Sequence, residues 1–161
     1  MPECQKERHG KPRLELIPGR LWTRIAKDYS SPSSSIVDQA DWYLTAWFEQ
    51  RDEGALAWAV DYIADCDSIS AGDMVDVMEA GAAKYTDFDW LRGGRASVFV
   101  GAARRHRLSA LRGEEKDADG LKHLACYAAN LVFLESWRDA GTLIDDRPTY
   151  GTQNDPPAEE G

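Results

Sequence analysis

His106 and His123 stand on either side of the acidic stretch GEEKDAD at residues 113 to 119. Imidazole changes charge near neutral pH, and carboxylate oxygens are the donors that Mg²⁺ and Mn²⁺ take up. His106, Glu114, Asp117 and His123 therefore have the chemistry of an acid/base pair or of a divalent-cation site. They act together only if the segments carrying them fold back on one another through the acidic link. A plainer reading is also open. Acids ahead of a helix serve as caps and dipole partners, with Asp119 an N-cap candidate, and a histidine among small residues serves in packing. Asn130 follows His123 on the same helical stripe and adds a second polar side chain able to bind a ligand.

Asp73, Asp76 and Glu79 recur three residues apart, which places their carboxylates on one side of a helix. Facing a second acidic helix, carboxylates at this spacing can hold Mg²⁺ through oxygen ligands and leave waters for chemistry. Otherwise they are a solvated face. Asp38 with Asp41, and Asp61 with Asp65, offer similar spacing, and spacing alone does not rank the sets. Lys84, Tyr85 and Trp90 form a further group. An ammonium is a point charge for phosphate and an aromatic ring stacks a base; alternatively the two rings plug a loop against the core. The densest basic run, ARRHR at 103 to 107, is too short for a polymer and suited to something small and phosphorylated.

Periodicity supplies the elements that must position these groups. Residues 19 to 28 predict a short helix, and SSPSSS at 30 to 35 is a break rich in turn formers. Ala40, Tyr43, Leu44, Trp47 and Phe48 recur at three-and-four spacing, as do Leu56, Ala59, Tyr62, Ile63 and Cys66 after Gly54; they predict two antiparallel helices. The next helix spans about Ala71 to Tyr85, with Met74, Met78, Gly81, Ala82 and Tyr85 on its apolar stripe. After the loop TDFDWLRGG come a helix from Arg95 to Arg112 and a last one from about Asp119 to Ala140. On the first of these, His106 falls beside Phe99, Ala102, Ala103 and Ala110, small residues that admit a neighbouring backbone.

On the last helix, Leu121, Leu124, Ala125, Ala128, Leu131 and Val132 share the expected core face. His123, Tyr127, Asn130, Leu134 and Trp137 form an opposite face that should meet another helix or another subunit. Nothing alternates with period two for long enough to make a strand. The expected fold class is all-α, a compact bundle of five or six helices. A helix with two apolar faces in a small domain predicts a homodimer or homotetramer.

At 161 residues, 43% of them apolar and 29% charged, the chain is sized for one core. Residues 11 to 144 are expected to form a single helical domain between a flexible start, 1 to 10, and a flexible acidic tail, 145 to 161. A net charge of −9 and a pI of about 4.8 repel nucleic-acid backbones and anionic membranes, so neither a nucleic-acid polymer nor a membrane is an expected partner. No apolar run approaches the length of a membrane span. Cys4, Cys66 and Cys126 are odd in number and lack CxxC spacing, which fits a reducing cytoplasm. Trp42, Trp47 and Trp58 lie on helical stripes and are expected in the core or a subunit interface.

Three blocks in this order, KPRLELIP at 11 to 18, GAAKYTDFDW at 81 to 90 and RRHRLSALRGEEKDADGLKHLACYAANLVFL at 104 to 134, resemble the phage-associated family of dATP/dGTP diphosphohydrolase amino-terminal domains. The shared pattern is approximately K-P-R-x-x-L-x-P, then G-A-x-K-Y-x-x-x-N-W, then R-H, G-E-x-x-D, G-x-x-H and a later asparagine. The resemblance nominates Lys11, Pro12 and Arg13, then Gly81, Lys84, Tyr85 and Trp90. In the third block it nominates Arg105, His106, Gly113, Glu114, Asp117, Gly120, His123 and Asn130. Asp89 replaces the pattern's asparagine, Cys126 replaces a histidine often found three residues after His123, and residues of about 29 to 72 look like an insertion.

The resemblance implies Mg²⁺-dependent hydrolysis of a purine deoxynucleoside triphosphate to monophosphate and pyrophosphate, with Mn²⁺ as a substitute ion. The activity is similar to that of the all-α MazG-like pyrophosphohydrolases, although their paired E-x-x-E and E-x-x-D helices are not evident. The implied catalytic group is His106, Glu114, Asp117 and His123. Lys11, Arg13, Lys84, Tyr85, Trp90, Arg105 and Asn130 would bind substrate, and Glu114, Asp117, Asp76 and Glu79 would hold the metal. A phage-encoded member would work in the host cytoplasm. The competing readings are a non-catalytic nucleotide binder that sequesters a nucleotide signal, to which Asp89 and Cys126 lend weight, and an interaction protein that docks through the tryptophans of the insertion.

Overall fold

Six α-helices carry the chain in a computed structural model that describes residues 3–4, 10–29 and 35–149. They are α1 (Gly19–Tyr29), α2 (Ser35–Glu49), α3 (Ala55–Ala64), α4 (Ala71–Lys84), α5 (Ala96–Leu111) and α6 (His123–Ala140), with 3-10 turns at Leu14–Leu16 and Asp89–Arg92. The all-α expectation holds. Among the described residues, β pairing is confined to two isolated bridges, Arg95 with Ile144 and Lys116 with Lys122. No helix among them is long and apolar enough to cross a membrane.

The core lies where α2, α3, α5 and α6 meet. Leu44, Trp47, Leu56 and Ala59 from the first pair pack with Phe99, Val100, Tyr127, Leu131, Leu134 and Trp137 from the second. The segment that resembles an insertion thus supplies half of the core. The second face of α6 meets other helices of this chain, with Tyr127, Leu134 and Trp137 fully buried, whereas Val132, expected on the core face, is 40% exposed. Three neighbouring elements surround α6, so most of its circumference is core. Of the three tryptophans expected in the core or a subunit interface, Trp47 is buried in the core, whereas Trp42 and Trp58 are more than half exposed in this chain, with Tyr43 stacked on Trp58 at 6.3 Å.

A polar network crosses this core. Asp41 is buried and accepts from Trp22 Nε1 at 2.6 Å and from the Tyr127 hydroxyl at 3.0 Å. Arg107, also buried, has its Nε 3.6 Å from Asp41 and bonds Asp38 through its terminal nitrogen. Arg104 donates to the carbonyls of Leu14 and Ile17, both at 3.1 Å, and to Thr45, and its guanidinium lies over Trp22. The basic run at 103 to 107 is therefore mostly structural; Arg104 and Arg107 are each 1% exposed. Burial holds Arg104 below the usual arginine range and, beside the Asp41 carboxylate, lifts the Tyr127 phenol well above the ordinary one.

Residues after α6 are tied down further along than their composition predicts. Gly141 ends α6 in the left-handed region at φ 75°, where a side chain would be strained. The chain then returns to α5, where Asp146 accepts from Ser97 N at 2.8 Å and from the Ser97 hydroxyl at 2.5 Å. An aspartate nearly fifty residues away thus caps a helix whose own preceding residue, Arg95, makes no cap. Arg147 is buried over Trp47, 4.3 Å from the ring, and donates to the Trp47 carbonyl, Glu53 and Asp145. The expected loose tail therefore does not begin at 145; its remainder from 150, and most of the expected flexible start, lie outside the described residues. Glu3 and Cys4 are described, and Cys4 N donates to the Gly93 carbonyl at 2.6 Å.

Candidate active site

α5 and α6 run antiparallel and bring their histidines together. Nδ1 of His106 lies 2.9 Å from Nδ1 of His123, with ring centroids 5.2 Å apart. At that distance one ring donates and the other accepts, so the contact holds a single proton. His123 is 7% exposed, and its Nε2 is buried without a hydrogen-bond partner; the nearest acid is Glu114, 3.8 Å away and largely in solvent. A buried nitrogen of that kind is costly unless a ligand or a water meets it.

The acidic link between these helices is a turn built around Asp117. Its Oδ1 accepts from the backbone of Asp119 and of Leu121, both at 2.9 Å, and the Asp117 amide donates to the Leu121 carbonyl at 2.8 Å. These bonds occupy the residues that were expected to open the last helix. α6 consequently begins at His123, with Lys122 ahead of it making no side-chain cap, and Asp119 is not the N-cap. His123 N donates instead to the Glu115 carbonyl at 2.9 Å, which fixes the imidazole at the mouth of the helix.

Beside the histidine pair opens a cleft of about 960 Å³, walled by the second half of α4, the loop after it, α5 and α6. Its volume is at the upper end of the roughly 300–1,000 Å³ common for small-molecule sites. Lys11, Lys84, Tyr85, Trp90, Arg105 and Asn130 all line it together with His106, His123, Asp117 and Glu79. Lys11 arrives from far away in sequence because the Leu14–Leu16 turn is pinned on α5. Arg105 donates to the Pro12 carbonyl at 2.9 Å, Arg104 holds Leu14 and Ile17, and the buried Glu15 carboxyl rests against Gly101, where any side chain would collide with it. Three cations, Lys11, Lys84 and Arg105, thus face one cleft together with five carboxylates, Glu79, Asp87, Asp89, Asp117 and Asp119, a lining of mixed charge.

Of the residues expected to act in catalysis, substrate binding or metal binding, three fall outside the cleft lining. Arg13 pairs with Glu15 at 3.1 Å; Asp76 is exposed on the outer side of α4; Glu114 stands next to His123 without lining the cleft. Asp73 is engaged in a capping box, accepting from Ser70 N at 2.8 Å while its own amide donates to the Ser70 hydroxyl at 3.1 Å. Those bonds hold its carboxyl below the usual range. Asp38 and Asp41 are taken by Arg107. Asn130 is buried, with its Nδ2 donating to the Cys126 carbonyl of its own helix at 2.7 Å. Among the described residues, no three of His, Cys, Asp and Glu converge as a ready-made metal cage.

The departures at Asp89 and Cys126 are both at the cleft. Asp89 is buried, 3.4 Å from Arg92 Nε, and accepts from the Cys4 thiol at 3.4 Å. A family model for the dATP/dGTP diphosphohydrolase N-terminal domain matches residues 66–147, just over half of the chain. The chain belongs to this family. The matched segment holds α4, α5, α6 and the loops between them, hence most of the cleft of this diphosphohydrolase-family domain, and it ends on the buried Arg147. Lys11 lies outside the match, and the KPRLELIP block reaches the family's cleft only through the tertiary contacts of Arg104 and Arg105. No curated protein and no solved structure shows a match.

Proposed function

We propose that the chain hydrolyses dATP or dGTP to the deoxynucleoside monophosphate and pyrophosphate in the cleft beside the histidine pair. The observation that carries this reading is the presence of Lys11, Lys84 and Arg105 on the same cleft as two imidazoles in contact at 2.9 Å. Phosphate charge and a proton acceptor are thereby provided for in one place, and the family supplies the reaction class.

Water attacks the α-phosphorus. The new phosphorus–oxygen bond forms as the bond to the bridging oxygen of the leaving pyrophosphate breaks, and the proton lost by the water passes to the imidazole pair. Because the Nδ1–Nδ1 contact already holds one proton, the pair acts as a unit with its outer nitrogens as the ports. Lys84 and Arg105 offset charge that gathers on the departing phosphates. Tyr85 and Trp90 border the region of the base, and Asn130 fixes the wall behind it.

The residues present suit Mg²⁺ carried in by substrate. That ion is commonly held by one or two carboxylates together with phosphate oxygens rather than by an all-protein cage. Glu79 and Asp117, which line the cleft, are the residues that would hold it, with Glu114 beside His123. Bound there, the ion would neutralise phosphate charge.

Product analysis after incubation with dATP or dGTP and Mg²⁺ tests the reading. Equal amounts of monophosphate and pyrophosphate are expected. Tight calorimetric binding of a nucleotide recovered intact would establish the sequestering reading in its place.

A further inference from the structure

Phe88 occupies the left-handed region, φ 59° and ψ 22°, immediately ahead of the Asp89–Arg92 turn. That conformation crowds a Cβ against the backbone and ordinarily falls to glycine or asparagine. The residue is 68% exposed and yet lines the cleft. Neither backbone preference nor burial accounts for phenylalanine here, and strained residues of this kind gather at ligand sites.

The other two aromatics of this loop are differently placed. Trp90 gives one face to Phe133, with centroids 6.0 Å apart and planes 14° from parallel, and its carbonyl accepts from Trp137 Nε1. Tyr85 lies beneath the Lys84 ammonium, 5.5 Å from the ring centroid. No ring among the described residues stacks on Phe88. An exposed aromatic face on a cleft that Lys11, Lys84 and Arg105 also line fits a flat heteroaromatic ring joined to phosphates.

Resting on the nucleotide reading above, we propose that Phe88 is the platform on which the nucleobase stacks, and so a determinant of the preference for the larger purine ring.

Calorimetry on the full chain tests this with two probes, a non-hydrolysable purine deoxynucleoside triphosphate and inorganic tripolyphosphate. Phe88→Gly is expected to weaken the purine probe by roughly 5- to 150-fold, the range for loss of one base–aromatic stack. It should leave tripolyphosphate binding unchanged and the unfolding midpoint unchanged or higher, since glycine relaxes the strain. Phe88→Tyr should restore purine binding. Unaltered purine affinity in Phe88→Gly overturns the platform while leaving the nucleotide reading standing. Equal loss of both probes with a lower midpoint also overturns it, by assigning Phe88 a structural role. If the wild-type chain binds neither probe, the nucleotide reading itself falls and takes the platform with it.

Discussion

Nδ1 of His106 and Nδ1 of His123, on antiparallel helices, lie 2.9 Å apart and hold one proton between them. Replacing either ring by asparagine should lower kcat by roughly 10²-fold or more, the usual scale of acid–base assistance. Since the two rings work as a unit, the double variant should be little worse than the poorer single one. Steady-state kinetics on the four proteins checks this; losses that multiply would show independent roles.

Asp41 ties Trp22, Tyr127 and Arg107 together across the core. Asp41→Ala leaves two buried donors without an acceptor and removes one of the two carboxylates beside a buried guanidinium. It should cost about 3–5 kcal/mol, whereas Tyr127→Phe, which deletes one hydrogen bond, should cost only about 1 kcal/mol. Urea unfolding measures both. Equal and small costs would mean that the network does not form in solution.

The sequence made the cleft partly legible and the core network not at all. His106, His123 and Lys84 stand in strongly periodic segments, so the helices that carry them place them predictably. The roles of Arg104 and Arg107 are set by Leu14, Ile17, Asp38 and Asp41, all more than sixty residues away, and no local pattern encodes such pairings. A basic run looks alike whether it is solvated or buried. The start of α6 differs from the expected one because two competing local signals, an Asx-type turn at Asp117 and a cap at Asp119, draw on the same residues, and only the backbone bonds decide between them. Phe88 gave no signal, since its conformation follows from the path of the loop.

Asp145 makes the clasp around Arg147 sensitive to acid. Hydrogen bonds from Arg147 lower its carboxyl from 3.8 to about 2. A folded value below the ordinary one means that the contribution is complete above about pH 4 and disappears as pH falls toward about 2. Solvent screens much of it, so the effect should be small. Thermal unfolding across that window should show a shallower acid decline for Asp145→Asn than for wild type; parallel declines would contradict the assignment.

The central claim is that water is added to the α-phosphorus of a purine deoxynucleoside triphosphate at the histidine pair. Hydrolysis of dGTP with Mg²⁺ in ¹⁸O-enriched water, followed by mass analysis of both products, tests it most directly. The account predicts one ¹⁸O in the monophosphate, none in the pyrophosphate, and little turnover by His123→Asn. Label in the pyrophosphate, or dGTP and dATP both recovered uncleaved from the wild-type protein, would contradict it.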